Sequence, residues 1–109
     1  TFLADQFKDR KVKKKYIGLT WGLWDNAKDE INEPLLRDKK DPTKFSINAN
    51  GKISITKYEV ERIFRHFSLV SFFPITGRTH QIRIHASYSG HPIFGDEKYG
   101  GGISRSKGF

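Results

Sequence analysis

Two adjacent strand-like segments in the middle of the chain determine the kind of fold that it can adopt. Residues 52–60 alternate between polar and apolar side chains in their first half, which is typical of a strand with one buried face. Residues 68–74 form a second run that is rich in aromatic and β-branched side chains, and a turn fits near Arg65 and His66. The pattern predicts an antiparallel hairpin in which residues 68–74 pair with residues 54–64.

One principal helix is predicted directly after this hairpin. Residues 74–77 contain Pro and Gly and break the second strand. Thr76 or Thr79 can cap a helix over residues 79–89. Gly90 follows that segment and can end the helix, because glycine readily adopts the left-handed conformation found there.

The rest of the chain is less regular. Residues 15–21 predict a further strand, in which we expect Ile17, Leu19 and one of the aromatic residues to lie in the core. Residues 25–50 show little periodicity and predict a long exposed loop with short extended pieces, and residues 100–102 predict a flexible segment. Together these elements predict an α+β fold, with a mainly antiparallel, mixed sheet and one principal helix.

The composition excludes several classes of protein. A chain of 109 residues has room for one domain, and 14% aromatic residues are too many for a disordered segment. The chain has no Cys, which excludes disulfides, thiolate metal sites and a Cys nucleophile. No apolar run approaches the roughly 18 residues that cross a bilayer. We therefore expect a cytoplasmic protein without a membrane partner.

The positive charge of the chain is clustered. The net charge is +8, and residues 1–15 carry six Lys or Arg side chains against two aspartates. Clustered basic residues are typical of proteins that bind polyanions, because each neutralised phosphate releases a counterion. RNA, DNA and anionic lipid all fit this charge. A solvated basic surface without a partner is the alternative.

Residues 76–83 concentrate the groups that can recognise an anion. They place a glycine turn, two arginines, a His and a Gln around the start of the predicted helix, where free backbone N–H groups favour a phosphate or a carboxylate. The alternative is a helix-capping turn with solvated arginines. His80, His85 and His91 are separated by five and six residues and do not share one helix face, so no metal site is predicted.

The chain resembles the RluA-type RNA pseudouridine synthase family. Residues 77–85 read Gly-Arg-Thr-His-Gln-Ile-Arg-Ile-His, and residues 90–99 read Gly-His-Pro-Ile-Phe-Gly-Asp-Glu-Lys-Tyr, as in the C-terminal motif of that family. Residues 6–22 and 51–60 agree with two further blocks in the same order, whereas residues 23–50 match weakly. The resemblance implies the pseudouridine synthase catalytic fold and the isomerisation of selected uridines in structured RNA, either rRNA or tRNA.

The resemblance also implies roles for individual residues. Arg83 matches the Arg that pairs with the family's catalytic Asp, and Tyr16 matches the Tyr that stacks on the target base. The resemblance implies that three residues lie near the RNA backbone or brace the motif: Arg78, His80 and Gln81. The basic run is expected to contact phosphates through Lys13, Lys14 and Lys15. It implies no cofactor and a monomeric full-length enzyme.

The nucleophile of the family is missing from this chain. It lies in a His-Arg-Leu-Asp type motif upstream of the block that begins at Gln6, and no such motif occurs here. No Asp of the chain, Asp96 included, is assigned its role. Residues 1–109 are therefore expected to be a partial catalytic domain, truncated at both ends and inactive alone. A non-catalytic RNA-binding module is the alternative.

Overall fold

A computed structural model describes residues 14–102. The strands are β1 (Tyr16–Trp21), β2 (Lys28–Asn32), β3 (Leu35–Arg37), β4 (Phe45–Ile47), β5 (Ile55–Ile63) and β6 (Phe67–Pro74), and they are followed by helix α1 (Gln81–Tyr88) and a 3-10 helix (Glu97–Tyr99). Four strands form one sheet in the order β1-β6-β5-β2, and β3 pairs with β4 in a second sheet. Every pairing between these strands is antiparallel. The predicted α+β class is confirmed.

The central hairpin has the predicted pairing. Tyr58 lies opposite Phe72 and Val60 lies opposite Val70, so β5 and β6 share a face that carries bulky apolar side chains. The register shifts between Val60 and Arg62, which is a β-bulge. The bulge lies close to the turn that joins the two strands, so it leaves the pairing at the apolar end of the hairpin regular.

The predicted loop over residues 25–50 is more ordered than its sequence indicates. It contains β2, which pairs along the edge of β5, and the two short strands β3 and β4. Ile31 is the single buried side chain of β2, and Leu35 is the single buried side chain of β3. These strands are held mainly by main-chain hydrogen bonds, so they leave little apolar periodicity in the sequence.

The core lies between α1 and one face of the four-stranded sheet. It consists of Ile31, Tyr58, Val70, Phe72 and Ala86. Side chains alternate along β1, so Tyr16 and Gly18 face the side of Phe72 whereas Ile17 faces the opposite side. Ile17 is 60% exposed, so the prediction that it lies in the core is wrong. Trp21 is 2% exposed and is the buried aromatic residue of this strand.

Helix α1 begins later and is capped differently than predicted. Its N-cap is His80, which has a left-handed backbone with φ of 57° and makes no side-chain capping bond. Thr76 donates its hydroxyl to Gln81 Oε1 at 2.6 Å, so the predicted threonine cap is wrong. Gly90 ends the helix with a φ of +89°, as predicted. Within residues 14–102 no helix has the length and apolar character needed to span a membrane.

Two of the three glycines after the 3-10 helix, Gly101 and Gly102, are buried, whereas Gly100 is exposed. Gly101 is buried, accepts a hydrogen bond from Trp21 Nε1 at 2.9 Å and donates one to Asp96 O at 2.7 Å. A side chain at Gly101 would overlap the carbonyl oxygen of Ile93, so only glycine fits without movement of its neighbours. The loop over residues 91–101 is therefore fastened to β1.

Candidate active site

The start of β1, the end of β6 and the start of α1 together line a cleft of about 570 Å³. Tyr16 lies on one wall, and Arg83 lies on the other beside the 76–83 motif. Lys14 and Arg78 also line the cleft, so it combines cationic side chains with an aromatic ring. Such a set of groups suits a ligand with both phosphates and flat bases.

Tyr16 is the first residue of β1 and is 47% exposed. It pairs in register with Phe72, whose ring is buried in the core. The strand therefore fixes the backbone of Tyr16, while its ring remains accessible from the cleft. This is the placement that a base-stacking ring requires.

Arg83 forms a bidentate ion pair with Asp96. Arg83 Nε donates to Asp96 Oδ2 at 2.9 Å, and Arg83 Nη2 donates to Asp96 Oδ1 at 2.8 Å. The hydrogen bond to Asp96 raises the pKa of Arg83. Burial by itself would raise the pKa of Asp96, but the hydrogen bond and charge of Arg83 outweigh burial and hold this pKa below its usual range. Both groups are therefore charged at neutral pH.

His80 contacts Tyr99 rather than standing free in the cleft. His80 Nδ1 lies 2.6 Å from the Tyr99 hydroxyl, which also accepts the backbone N–H of Phe45 at 3.1 Å. Burial lowers the pKa of His80, and the positive charges of Arg83 and Lys98 lower it further. His80 is therefore neutral at pH 7 and adds no positive charge to the cleft.

Gln81 lies inside the protein and makes four hydrogen bonds. It is 3% exposed, and its Oε1 accepts from Thr76 Oγ1 at 2.6 Å and from the N–H of Arg78 at 3.0 Å. Its Nε2 donates to Ile55 O and to Thr56 Oγ1, each at 2.9 Å. Two roles were predicted for Gln81, namely RNA contact and bracing of the motif. These four bonds are typical of bracing, because they leave no polar atom of the amide for a ligand.

The other basic residues of the prediction differ in their position. Arg78 is exposed on the cleft, with its Nε bonded to Ile53 O at 2.9 Å. Lys14 is exposed and lines the cleft, whereas Lys15 is exposed but does not line it. Lys13 lies outside the described residues. The structure therefore brings Lys14, Arg78 and Arg83 to one cleft.

His85 connects the motif to the far side of the sheet, a role that the sequence did not reveal. It is 0% exposed, its Nε2 donates to Glu33 O at 2.9 Å, and its Nδ1 accepts from Thr56 Oγ1 at 2.8 Å. A carbonyl can only accept, so the Glu33 bond assigns the proton of the neutral ring to Nε2. Thr56 also accepts from Gln81, so one chain of hydrogen bonds runs from the motif to Glu33, which lies between β2 and β3.

The histidines do not assemble a metal site in the described part of the chain. His80 is bonded to Tyr99, His85 is bonded to Thr56 and Glu33, and His91 Nδ1 lies 3.0 Å from Trp21 O. Across residues 14–102 no three His, Asp or Glu side chains are grouped in a way that could hold a metal ion.

A comparison with known protein families shows which family the chain belongs to. The family model described as RNA pseudouridylate synthase matches residues 2–88. The chain belongs to the RNA pseudouridylate synthase family. The predicted resemblance is thereby confirmed.

The curated relatives of this pseudouridylate synthase chain are much longer than the chain itself. Ribosomal large subunit pseudouridine synthase C of Buchnera aphidicola (subspecies Acyrthosiphon pisum) is 44% identical over 100 residues, which cover 90% of this chain and 32% of the relative. Ribosomal large subunit pseudouridine synthase D of Borreliella burgdorferi is 42% identical over 100 residues, which cover 91% of this chain and 31% of the relative. The chain therefore spans about a third of the length of these relatives.

A solved pseudouridylate synthase structure has the same fold. The human RNA pseudouridylate synthase domain containing 1 protein superposes with a TM-score of 0.78 and 32% sequence identity. The match covers 89% of this chain and 44% of the human chain. The four-stranded sheet and helix α1 of this chain are thus part of a pseudouridylate synthase fold.

Proposed function

We propose that this chain is part of the catalytic domain of an RNA pseudouridine synthase that isomerises specific uridines to pseudouridine in structured RNA. The observation that carries the proposal is the cleft that Tyr16 and Arg83 both line, together with Lys14 and Arg78. The names of the curated relatives specify the large ribosomal subunit, which favours rRNA over tRNA as the substrate. The enzyme works in the cytoplasm and as a monomer.

In this reaction the uracil base leaves the sugar at N1, turns and rejoins it through C5. The bond between C1′ and N1 breaks, the bond between C1′ and C5 forms, C5 loses its hydrogen and N1 gains one. The base has to leave the RNA stack to be turned, which costs a few kcal/mol. Stacking on Tyr16 and contacts of phosphates with Lys13, Lys14, Lys15 and Arg78 offset that cost.

Arg83 serves the chemistry rather than the docking. A planar guanidinium binds a carboxylate through two parallel hydrogen bonds, which fixes the carboxylate's orientation and keeps it ionised. The carboxylate is the catalytic Asp of the family, which belongs to a segment that this chain does not contain. His80 and Gln81 support the motif that carries Arg83, and no cofactor takes part.

The release of tritium from RNA labelled at C5 of uridine tests this proposal. The assay compares the 109-residue chain with a protein extended to the length of its relatives. We expect release from the extended protein alone, because the extension supplies the catalytic carboxylate. RNA retention on a filter without release from either protein would overturn the proposal and favour a non-catalytic RNA-binding module.

A pair of arginine variants in the extended protein tests the role of Arg83. Arg83→Ala is expected to abolish turnover and to leave most of the RNA affinity. Arg62→Ala removes the same charge from an exposed position on β5 that does not line the cleft, so it serves as the matched control. Turnover of Arg83→Ala close to that of Arg62→Ala would contradict the assigned role.

A further inference from the structure

Arg83 lies between two depressions in the protein surface. One is the cleft that contains Tyr16. The other is a shallower depression of about 420 Å³ that Arg83 lines together with residues 93–98. Asp96 lies on this second side, and its side chain is 5% exposed, against 37% for Arg83. One side of the guanidinium is therefore covered by protein, while another remains accessible.

The hydrogen bonds to Asp96 occupy one edge of the guanidinium. A guanidinium has five N–H donors in a fixed plane. Asp96 accepts one hydrogen from Nε and one from Nη2, which leaves both hydrogens of Nη1 and one of Nη2. Within residues 14–102 the side chain of Arg83 makes no hydrogen bond besides these two. The free donors form a second edge of the fork, and that edge can bind a second carboxylate through two bonds.

The ring of Tyr99 also supports the guanidinium of Arg83. The Cζ atom of Arg83 lies 4.9 Å from the centre of the Tyr99 ring, which is cation–π distance. The Tyr99 hydroxyl is bonded to His80 and to the N–H of Phe45, and its carbonyl oxygen accepts the hydroxyl of Ser87 at 2.7 Å. The ring is thus held at both ends and provides a rigid support for Arg83.

The carboxylate of Asp96 is itself held by the loop that carries it. The N–H of Asp96 donates to Ile93 O at 3.0 Å, and the carbonyl of Asp96 accepts from the N–H of Gly101 at 2.7 Å. These bonds fix the backbone on both sides of the side chain. Asp96 therefore presents its two oxygens to Arg83 from an anchored position.

We propose that Asp96 is a positioning residue, which holds one edge of Arg83 so that its free, adjacent edge is presented to a second carboxylate in the cleft. This inference rests on the proposed function, in which that carboxylate belongs to the catalytic Asp. Asp96 does not touch the substrate and acts only through Arg83. A free arginine side chain would sample many rotamers, and the ion pair with Asp96 removes that freedom before the carboxylate binds.

Substitutions at position 96 in the extended protein test this inference. Asp96→Asn keeps the shape of the side chain but replaces one acceptor by an amide NH₂, so it cannot accept from both Nε and Nη2. We expect kcat to fall about 100-fold, because a small misplacement of a catalytic group has an effect of this size. We expect KM for RNA to stay within about twofold, because phosphate contacts are unchanged. Asp96→Glu retains both acceptors and should recover most of the loss.

Glu97→Gln is the matched control. It removes the neighbouring negative charge, which is exposed and makes no ion pair with Arg83. Its kcat is expected to equal that of the wild type. An Asp96→Asn variant with the kcat of the wild type would overturn the inference. A rise in KM that matches the fall in kcat, without recovery in Asp96→Glu, would also overturn it, since a general structural defect acts in that way.

An NMR signal gives a second readout that does not depend on turnover. The Nε–H of Arg83 should give a resolved cross-peak in the wild type, assigned by its loss in Arg83→Lys, and it should disappear in Asp96→Asn while the backbone spectrum is retained. A cross-peak that survives in Asp96→Asn would overturn the inference. A wild-type extended protein without turnover would overturn the proposed function, and this inference with it.

Discussion

Lowering the pH from 7.5 to 5.5 is expected to destabilise the fold through His85. The ring is 0% exposed, and its two nitrogens are bonded as only the neutral form allows, with Nε2–H donating to Glu33 O and Nδ1 accepting from Thr56. A proton on Nδ1 would face the hydroxyl hydrogen of Thr56. The bond from Thr56 to Nδ1 would then be lost, and the charged ring would stand in a buried site. Burial accordingly lowers the pKa of His85 below that of an unfolded chain.

The size of the effect follows from proton linkage. The pKa of His85 is lower in the folded state, so the unfolded chain binds more protons than the folded chain below about pH 6.5. The free energy of unfolding therefore decreases as the pH is lowered through this range. For one histidine the loss between pH 7.5 and 5.5 is at most about 1.4 kcal/mol, the limit in which the folded ring stays neutral throughout. His80 adds to it with the same sign, since its pKa is also lowered, but its ring is only half-buried. Asp96 stays ionised in both states over this range, since the usual pKa of an aspartate already lies below pH 5.5 and the fold lowers it further.

Urea denaturation at pH 7.5, 6.5 and 5.5, followed by tryptophan fluorescence, measures this loss. Trp21 is 2% exposed and is expected to report unfolding through a change in its environment. A His85→Asn variant should have a smaller pH dependence than the wild type, and His80→Gln should retain most of it. An unfolding free energy at pH 5.5 equal to that at pH 7.5 would refute the reasoning. An unchanged pH dependence in His85→Asn would do so as well.

Three further predictions concern the packing and the cleft. Gln81→Leu is expected to lower the free energy of unfolding by about 2 to 4 kcal/mol in urea denaturation, because it leaves buried partners without hydrogen bonds; a loss below about 1 kcal/mol would contradict the bracing role. Gly101→Ala should cost about 1 to 3 kcal/mol through overlap with Ile93 O, whereas Gly77→Ala, with no atom within 4 Å of the added Cβ, should change stability by less than about 1 kcal/mol. Equal thermal midpoints for these two alanine variants would contradict the prediction that the contact with Ile93 O excludes a side chain at position 101. Tyr16→Ala should abolish tritium release from the extended protein while its unfolding free energy changes by less than about 1 kcal/mol, since the ring is 47% exposed; a large stability loss with normal turnover per folded molecule would make Tyr16 a core residue.

The regular part of the fold could be predicted because it leaves a pattern in the sequence. Burial alternates along β5, and β1 and β6 are rich in aromatic and β-branched side chains, and both patterns are visible without a structure. The strands β2, β3 and β4 bury few side chains and depend on main-chain pairing with partners that are distant or short. The strand β2 depends on the edge of β5, and β3 and β4 depend on each other, and a local pattern shows neither pairing.

The sequence pointed to several side chains that line the cleft, but it did not reveal the bonds that hold them. The motif located Arg83, and its resemblance to a family paired it with an Asp outside the chain. That Asp96 binds Arg83 depends on how the loop after α1 folds back, and no local pattern fixes this. Gln81 and His85 are polar residues at helix positions that turn out to be buried. Their burial depends on Thr56, which lies on another element and supplies the hydrogen bonds that permit it.

The hydrogen bond between Trp21 and Gly101 affects the order in which the protein is assembled. It joins residues that are 80 positions apart, and it fastens the loop with Asp96 to the strand that begins with Tyr16. At usual rates of protein synthesis, about 4 to 16 seconds separate the addition of these two residues. A growing chain can form the central hairpin long before it can close this contact. The two walls of the cleft are therefore locked together at a late step, when synthesis has passed Gly101.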